Sequence, residues 1–386
     1  MPQAATPAWA ALDAAQEATL VRHVRILRTR IAQAGGVLSF AEFMEDVLYG
    51  AQIGYYTHET VFGAGGDFVT APALSALFGQ CLARQCAQIL QHAPGPIIEA
   101  GAGGGRLAVD ILGTLEALGA LPTQYVLLER SARHRQEAQA LIAREIPQLA
   151  GRVIITDTWP GASASVILAN ELLDALPAVR FRIREGQAHP LLVCAEKDAF
   201  GWREGAADAR LTETLGTRGW PEGYTSEISW TGRRWVGEAA AHLGAGGLLL
   251  IIDYGFPAHE FYHPQRHDGT LMCHFRHHAH GDPLVLPGLQ DITVHVDFTA
   301  IAEAGHTAGL VLAGYTSQAA FLLSLGLAPR AQPESRAHRD EVNAIKRLTL
   351  PHEMGELFKV MAFTHGETVP LAGFHLLDRR PALDRR

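Results

Sequence analysis

The fold is decided by residues 97–107, which read Ile-Ile-Glu-Ala-Gly-Ala-Gly-Gly-Gly-Arg-Leu. Two β-branched residues followed by Glu99 predict the end of a buried strand, the glycines predict a tight turn, and the residues from Arg106 onward predict a helix. Glycine lets the backbone leave the strand sharply and approach a ligand that any Cβ would exclude. A strand, a glycine turn and a helix in this order are typical of a nucleotide site in an α/β sheet.

The charges beside the turn indicate which nucleotide would bind. Glu99 lies two residues before Gly101, where a carboxylate would repel a pyrophosphate and attract the sulfonium and amino group of S-adenosylmethionine. The spacing of Gly101, Gly103 and Gly105 also departs from the Gly-x-Gly-x-x-Gly dinucleotide pattern. Glu129 ends the next apolar run, where a doubly wound sheet places a carboxylate that accepts hydrogen bonds from ribose hydroxyls. We therefore predict a methyltransferase-type site, the alternative being a tight turn without a ligand.

The composition describes a globular protein and limits its partners. Of 386 residues, 48% are hydrophobic and 19% are charged, and the formal net charge is −8. Because Lys and Arg are scattered and form no basic stripe, we expect no nucleic-acid partner. The most apolar run, residues 248–252, is far too short to span a bilayer, so we expect no membrane insertion. Four cysteines without zinc or Cys-x-x-Cys spacing, and a first segment unlike a signal peptide, predict a cytoplasmic location.

The order of the predicted elements indicates an α/β protein. Strands and helices alternate regularly from residue 96, and this alternation breaks over 178–230 and 256–298, which we interpret as two insertions. The second insertion holds eight histidines between residues 259 and 295, but in no metal-site spacing, so we expect no metal. The predicted domains are an N-terminal helical cap with a glycine/aromatic loop (1–93), a Rossmann-like seven-stranded class I methyltransferase sheet with both insertions (94–365), and a C-terminal tail (366–386).

Polar residues at predicted strand ends are further candidates for the cofactor site, since ligands of open α/β sheets bind beyond the carboxyl ends of the strands. Asp157, after the third strand, would contact the adenine amino group or be an ordinary turn aspartate. Asn170, after the fourth strand, would hold the amino group of the cofactor or the substrate. Asp67 lies in a segment rich in glycine and aromatic residues, which we interpret either as a ligand-lining loop that closes over the site or as an ordered surface loop.

Taken together, these segments resemble the MidA-like family of S-adenosylmethionine-dependent methyltransferases, whose mitochondrial members methylate an arginine on a core subunit of respiratory complex I. The resemblance covers residues 37–365. It rests on motifs in a fixed order: Gly-Tyr-Tyr at 54–56, Gly-Asp-Phe-Val-Thr-Ala-Pro at 66–72 with Phe78-Gly79, the turn at 99–107, Ala-Asn-Glu at 169–171 with Asp-Ala-Leu-Pro at 174–177, Ile-Asp-Tyr-Gly at 252–255, residues 288–298, Pro351 with Met354-Gly355, and Phe-Lys-Val at 358–360. The family usually has a proline and a basic residue at the positions of Ala102 and Gly104. Both differences loosen the turn without blocking a ligand.

The resemblance implies S-adenosyl-L-methionine as cofactor and arginine N-methylation of a protein substrate, for the mitochondrial members a respiratory-complex subunit. Two alternatives remain, a small-molecule methyltransferase and a non-catalytic assembly factor that binds the cofactor.

Arginine methylation places its own demands on the site. A guanidinium is protonated at all ordinary pH, so carboxylates must orient it and allow its proton to leave. We predict that Glu171 and Asp174 lie on one face of a helical turn and grip the guanidinium from two sides. The alternative is that they only stabilise the start of that turn. His295 and Asp297, on a strand predicted within 288–298, are candidates for proton handling or members of a structural network.

Overall fold

The computed structural model describes residues 10–57, 70–197, 199–216, 219–367 and 369–384. Its α-helices are α1 (Ala14–Gln33), α2 (Phe40–Tyr49), α3 (Ala71–Leu74), α4 (Ala76–His92), α5 (Arg106–Ala117), α6 (Ala132–Glu145), α7 (Ala209–Leu215), α8 (Trp230–Ala241), α9 (Ala258–Phe261), α10 (Phe298–Thr307), α11 (Gln318–Ser324), α12 (Arg336–Thr349) and α13 (Met354–Leu357). Its strands are β1 (Val37–Ser39), β2 (Ile97–Ala100), β3 (Tyr125–Leu128), β4 (Val153–Thr156), β5 (Ala164–Asn170), β6 (Val179–Arg184), β7 (Gln187–Ala195), β8 (Phe200–Glu204), β9 (Thr225–Ile228), β10 (Leu243–Phe256), β11 (Met272–Phe275), β12 (His278–His280), β13 (Asp291–Thr293), β14 (Val296–Asp297), β15 (Val311–Ser317) and β16 (Phe358–Thr364). Short 3-10 helices cover Pro147–Arg152, Ala372–Phe374 and Arg380–Ala382.

The chain divides into two compact units. The core unit comprises residues 69–173, 233–258 and 296–386, and the accessory unit comprises residues 1–68, 174–232 and 259–295. The two insertions, predicted as parts of the 94–365 domain, group with the N-terminal residues instead. The predicted boundaries differ from this division in two further places. Helix α4, predicted as part of the N-terminal cap, and the residues after 365, predicted as a separate tail, both belong to the core unit.

Buried contacts explain both differences. A Cβ added to Gly79 of α4 would lie 2.6 Å from the Cβ of Asp110 in α5, so the two helices pack closely. In the C-terminal segment, the Gly373 N–H donates a 2.9 Å hydrogen bond to Oε1 of Gln85, also in α4. Both segments therefore help to cover the apolar face of the core sheet.

The core sheet has seven strands in the order β15-β16-β10-β5-β2-β3-β4, with β14 paired to β10 as an eighth. Strands β10, β5, β2, β3 and β4 pair in parallel, whereas β16 is antiparallel to both β10 and β15. Its central strands are largely buried and apolar, as parallel strands covered on both faces are, with polar residues such as Glu99 and Asn170 toward their carboxyl ends. The predicted Rossmann-like class is confirmed. The two-residue β14 is additional to the predicted seven strands.

One predicted strand is wrong. The alternating pattern within 288–298 predicted a single strand, but the chain forms β13 in the accessory unit and β14 in the core unit. The two short strands pair with different partners, β13 with β11 and β14 with β10. The sequence pattern alone could not show the break between them, because the break depends on two pairing partners that lie elsewhere in the chain.

The accessory unit has two sheets. One has the order β1-β7-β6-β9, with β8 also paired to β7, and the other has the order β12-β11-β13; all neighbouring strands are antiparallel. The first insertion contains a hairpin formed by β6 and β7. Glu185 and Gly186 form its two-residue turn with φ of 49° and 72°, the sign that matches the twist of the strands. No helix in the described ranges is long and apolar enough to cross a membrane.

Candidate cofactor site

The glycine turn after β2 combines three left-handed glycines that have different surroundings. Gly101, Gly103 and Gly105 have φ of 70°, 51° and 80°. An added Cβ would lie 2.9 Å from Leu172 at Gly101 and 3.0 Å from Ala138 at Gly105, but at Gly103 it would meet no atom of the described residues within 4 Å. Gly101 and Gly105 are therefore required for packing as well as for backbone conformation. Gly103 instead borders open space, as a turn that receives a ligand should.

Glu129, immediately after β3, holds the turn in place. Its Oε2 accepts a 2.8 Å hydrogen bond from the Gly103 N–H, and its Oε1 accepts one of 2.8 Å from the Ser131 N–H. His134 Nδ1 lies 3.8 Å from Oε1. Burial raises the pKa of Glu129, but the hydrogen bonds from His134, Ser131 and Gly103 outweigh burial and hold that pKa below its ordinary value. Glu129 is thus an ionised acceptor beside the turn, suited to the paired hydroxyls of a ribose.

Glu99 is the buried carboxyl of β2, only 4% exposed. Its Oε2 accepts a 2.7 Å hydrogen bond from the Tyr125 hydroxyl. Burial raises the pKa of Glu99 to about 8, against the opposing effect of that hydrogen bond. Near neutral pH the group is therefore mostly protonated until a cation comes close enough to favour its charged form.

Asn170, the last residue of β5, presents an unsatisfied acceptor. Its Nδ2 donates to Glu171 Oε1 over 3.2 Å, whereas its Oδ1 is buried and receives no hydrogen bond from any described residue. A buried acceptor without a donor costs about 1–3 kcal/mol, so an amino group arriving with a ligand would be stabilised there. The structure therefore offers an observation that fits the predicted contact of Asn170 with the amino group of the cofactor.

Glu171 does not lie on a helical turn, so that part of the prediction is wrong. Its backbone has φ of 52°, in the left-handed region, and no helix forms over residues 171–174. The Glu171 N–H donates to Ile252 O over 2.9 Å, and Oε1 accepts a 3.3 Å hydrogen bond from the N–H of Ala71, the first residue of α3. Asp174 belongs to the accessory unit, where its side chain is buried and its carbonyl accepts from the Val294 N–H.

The other predicted site residues have separate surroundings. Asp157 is half-exposed and pairs with Arg135 over 3.3 Å. His295 lies in the accessory unit, with Nδ1 3.1 Å from Thr270 O. Asp297 is the N-cap of α10, where it accepts from Ala300 N–H, which favours the structural interpretation of that residue. Asp67 lies outside the described residues, as do 62–69 of its segment. Among the described residues, no group of three His, Cys, Asp or Glu could hold a metal.

Three residues that sequence reasoning did not assign complete the site. Ser131 and His134 belong to the first turn of α6, where Ser131 is the N-cap, and they orient Glu129. Asp253 is fully buried at the carboxyl end of β10 and accepts from two backbone N–H groups. The signal for Asp253 was present, because an acidic residue directly follows the apolar run 248–252 and belongs to a motif that carried the family resemblance.

The sheet order, the glycine turn and the two acidic strand ends define a Rossmann-like S-adenosylmethionine-dependent methyltransferase. Comparison with known proteins agrees. Residues 81–316 match the model of a family of S-adenosyl-L-methionine-dependent methyltransferases. The chain belongs to this family, which confirms the resemblance inferred from its motifs.

Individual relatives cover nearly the whole chain. A crystal structure of a Burkholderia thailandensis protein bound to S-adenosyl-homocysteine is 40% identical, covers 96% of this chain and 99% of its own, and superposes with a TM-score of 0.92. The Drosophila melanogaster protein arginine methyltransferase NDUFAF7 homolog, mitochondrial, is 28% identical over 90% of this chain and 87% of its own. The Danio rerio protein arginine methyltransferase NDUFAF7, mitochondrial, is 28% identical over 89% and 90%.

The names of these relatives contradict the predicted cytoplasmic location. The features of the sequence led us to expect a cytoplasmic protein, but both of these NDUFAF7 relatives are named as mitochondrial proteins. That expectation rested on reduced cysteines and on the lack of a recognisable signal peptide, neither of which distinguishes the cytoplasm from other reducing compartments. The prediction of a cytoplasmic location is therefore wrong.

The cofactor is S-adenosyl-L-methionine, and the residues of the core unit fit it. Gly103 leaves open space at the turn, Glu129 offers an ionised acceptor, and Asn170 Oδ1 lacks a donor among the described residues. Glu99 supplies a carboxyl that can become a counter-charge. When bound, this cofactor supplies the electrophilic methyl group, and the protein must position the acceptor and handle its proton.

Proposed function

We propose that this protein is a protein arginine N-methyltransferase whose substrate is a subunit of a respiratory complex. The observation that carries the proposal is its similarity to proteins named protein arginine methyltransferases, which extends over about nine-tenths of both chains. The respiratory-complex substrate is what the MidA-like resemblance implies. The small-molecule and non-catalytic alternatives make different predictions and are separated below.

The chemistry of arginine favours a carboxylate at the acceptor position. A guanidinium is a weak nucleophile because it stays protonated, so a negative group must orient it and receive its proton. In the core unit, Glu171 directly follows Asn170 at the carboxyl end of β5, the edge at which open α/β sheets bind ligands. We assign Glu171 as the residue that orients the guanidinium, with Asp174 and His295 as further candidates from the accessory unit.

Glu171→Gln is expected to leave cofactor affinity nearly unchanged and to lower methyl transfer about tenfold or more. The amide keeps an oxygen that can accept from Ala71 N–H, but loses the charge. Losing a charge-assisted hydrogen bond to the guanidinium in the transition state costs about 1.5–3 kcal/mol. An energy of this size lowers the rate about tenfold or more. Turnover at saturating cofactor measures the effect, and Asp174→Asn is tested in the same way. Glu116→Gln, which removes an exposed carboxylate of α5, is the control and should keep wild-type turnover. Wild-type rates in both test variants would remove the two carboxylates from the mechanism.

The substrate class is tested by mass spectrometry of the proteome with and without this protein. We expect at least one methyl-arginine on a respiratory-complex subunit to be lost when the protein is absent and restored by the wild-type chain. Restoration by the Gly103→Val variant would contradict a cofactor-dependent reaction. Intact protein methylation together with the loss of a methylated metabolite would favour the small-molecule alternative. A normal methylome with impaired complex assembly would favour the non-catalytic one.

A further inference from the structure

The segment after β5 is held in an unfavourable backbone conformation by the end of β10. Glu171 has φ of 52°, a region that L residues other than glycine rarely occupy. Such conformations persist only where the surrounding structure imposes them, and they concentrate at functional sites. The contacts that impose the left-handed conformation of Glu171 therefore also determine where Asn170 and Glu171 lie.

Two hydrogen bonds anchor the segment on consecutive residues of β10. The Glu171 N–H donates to Ile252 O over 2.9 Å, and the Leu173 N–H donates to Asp253 Oδ2 over 2.9 Å. The other oxygen of Asp253, Oδ1, accepts a 2.9 Å hydrogen bond from the Tyr254 N–H. Asp253 is fully buried. Its two oxygens thus tie the backbone after β5 to the backbone that leaves β10.

We propose that Asp253 is a positioning residue for the cofactor site, which fixes residues 171–173 so that Asn170 Oδ1 is presented to the amino group of S-adenosylmethionine. The proposal rests on the cofactor role assigned to Asn170 and is independent of the identity of the methyl acceptor. It explains why an acidic residue, costly to bury, directly follows the apolar run of β10.

At position 253, only a carboxylate can accept hydrogen bonds from both the Leu173 N–H and the Tyr254 N–H. The two N–H groups need two acceptor oxygens, and an asparagine has one oxygen and one NH₂ group. In Asp253→Asn, either Leu173 or Tyr254 would face another donor, so one anchor would be lost while the side-chain volume stayed the same. Because a backbone N–H without an acceptor is unfavourable when buried, the released residue is expected to move toward water.

The first measurement is the dissociation constant of S-adenosyl-homocysteine, determined by titration calorimetry. We expect Asp253→Asn to raise it about tenfold, the effect of misplacing one hydrogen bond to the ligand. Glu356→Gln is the control. It also changes an acid to an amide in the core unit and weakens the two hydrogen bonds from Arg379, and it should leave the dissociation constant unchanged. If the Asn variant fails to fold, Asp253→Ser, which keeps one acceptor in a smaller side chain, replaces it.

A double-mutant cycle separates positioning from general destabilisation. If Asp253 acts through Asn170, the double variant Asp253→Asn with Asn170→Ala should bind no more weakly than Asn170→Ala alone. Additive losses would overturn the proposal, as would wild-type affinity in Asp253→Asn. Wild-type affinity in Asn170→Ala beside a tenfold loss in Asp253→Asn would also overturn it, because Asp253 would then act by another route. None of these results depends on the protein substrate, so arginine methylation would be neither supported nor contradicted by them.

Discussion

Gly103→Val is expected to abolish binding of S-adenosyl-homocysteine while the protein remains folded. At φ of 51°, a Cβ added at residue 103 meets no atom of the described residues within 4 Å, so the valine side chain would occupy the open space at the turn and exclude the ligand. We expect the dissociation constant to rise by at least about 100-fold, equivalent to about 2.7 kcal/mol. The left-handed backbone adds a stability cost of about 1–2 kcal/mol, measured by thermal or urea unfolding.

Gly119→Val provides a matched control for the backbone strain. Gly119 follows α5 in the same unit, with φ of 65°, and a Cβ added there has no atom of the described part of the chain within 4 Å. Its substitution should cost a similar amount of stability and leave cofactor affinity unchanged. If both variants bind as tightly as the wild type, the ligand does not lie at the turn. Equal losses of affinity in both would mean that strain, not lost space, explains the result.

The features that could be predicted from the sequence are those set by neighbouring residues. The strand before Gly101, the helix after Gly105 and the capping box of Ser39 with Glu42 are all signalled within a few positions. The Rossmann-like class followed because alternating strands and helices have few allowed topologies. The chemistry of the ligand could be inferred as well, since acidic residues at two strand ends determine which charge can bind there.

What could not be predicted depends on residues far apart in the chain. The backbone after β5 is extended, helical or left-handed according to its partners. Those partners are Ile252 O for the Glu171 N–H and an Asp253 carboxylate oxygen for the Leu173 N–H, each about 80 positions away. The break between β13 and β14 also depends on distant residues, because β13 pairs with β11 whereas β14 pairs with β10. Nor does local pattern indicate that 174–232 and 259–295 group with the N-terminal residues.

Glu99→Gln is expected to change both stability and cofactor affinity, each in a pH-dependent way. The pKa of Glu99 in the folded protein is about 8, above its ordinary value of 4.5. Between these values the folded state holds one more proton than the unfolded state, so the free energy of unfolding falls as pH rises, by at most about 1.4 kcal/mol per pH unit. Glutamine can still accept from Tyr125 but does not titrate. The variant should therefore become progressively more stable than the wild type as the pH rises toward 8.

Wild-type affinity for the cofactor should rise with pH, whereas wild-type stability should fall. A cationic ligand favours the charged form of Glu99, so its binding lowers the pKa of that carboxyl and releases a proton near neutral pH. Wild-type affinity for S-adenosylmethionine should therefore rise with pH up to about 8, by at most about tenfold per pH unit. In Glu99→Gln this part of the pH dependence should be absent, so the affinity difference between the two proteins should widen with pH.

Titration calorimetry in two buffers with different ionisation enthalpies measures the proton release directly. We expect close to one proton per cofactor for the wild type near neutral pH and a smaller release for Glu99→Gln. Glu116→Gln, on the exposed face of α5, is the control and should behave as the wild type. Equal proton release from wild type and Glu99→Gln would exclude Glu99 as the counter-charge. The cation would then have to be balanced by Glu129, the half-buried carboxylate beside the turn, whose ionised state is already fixed by hydrogen bonds from Gly103 and Ser131.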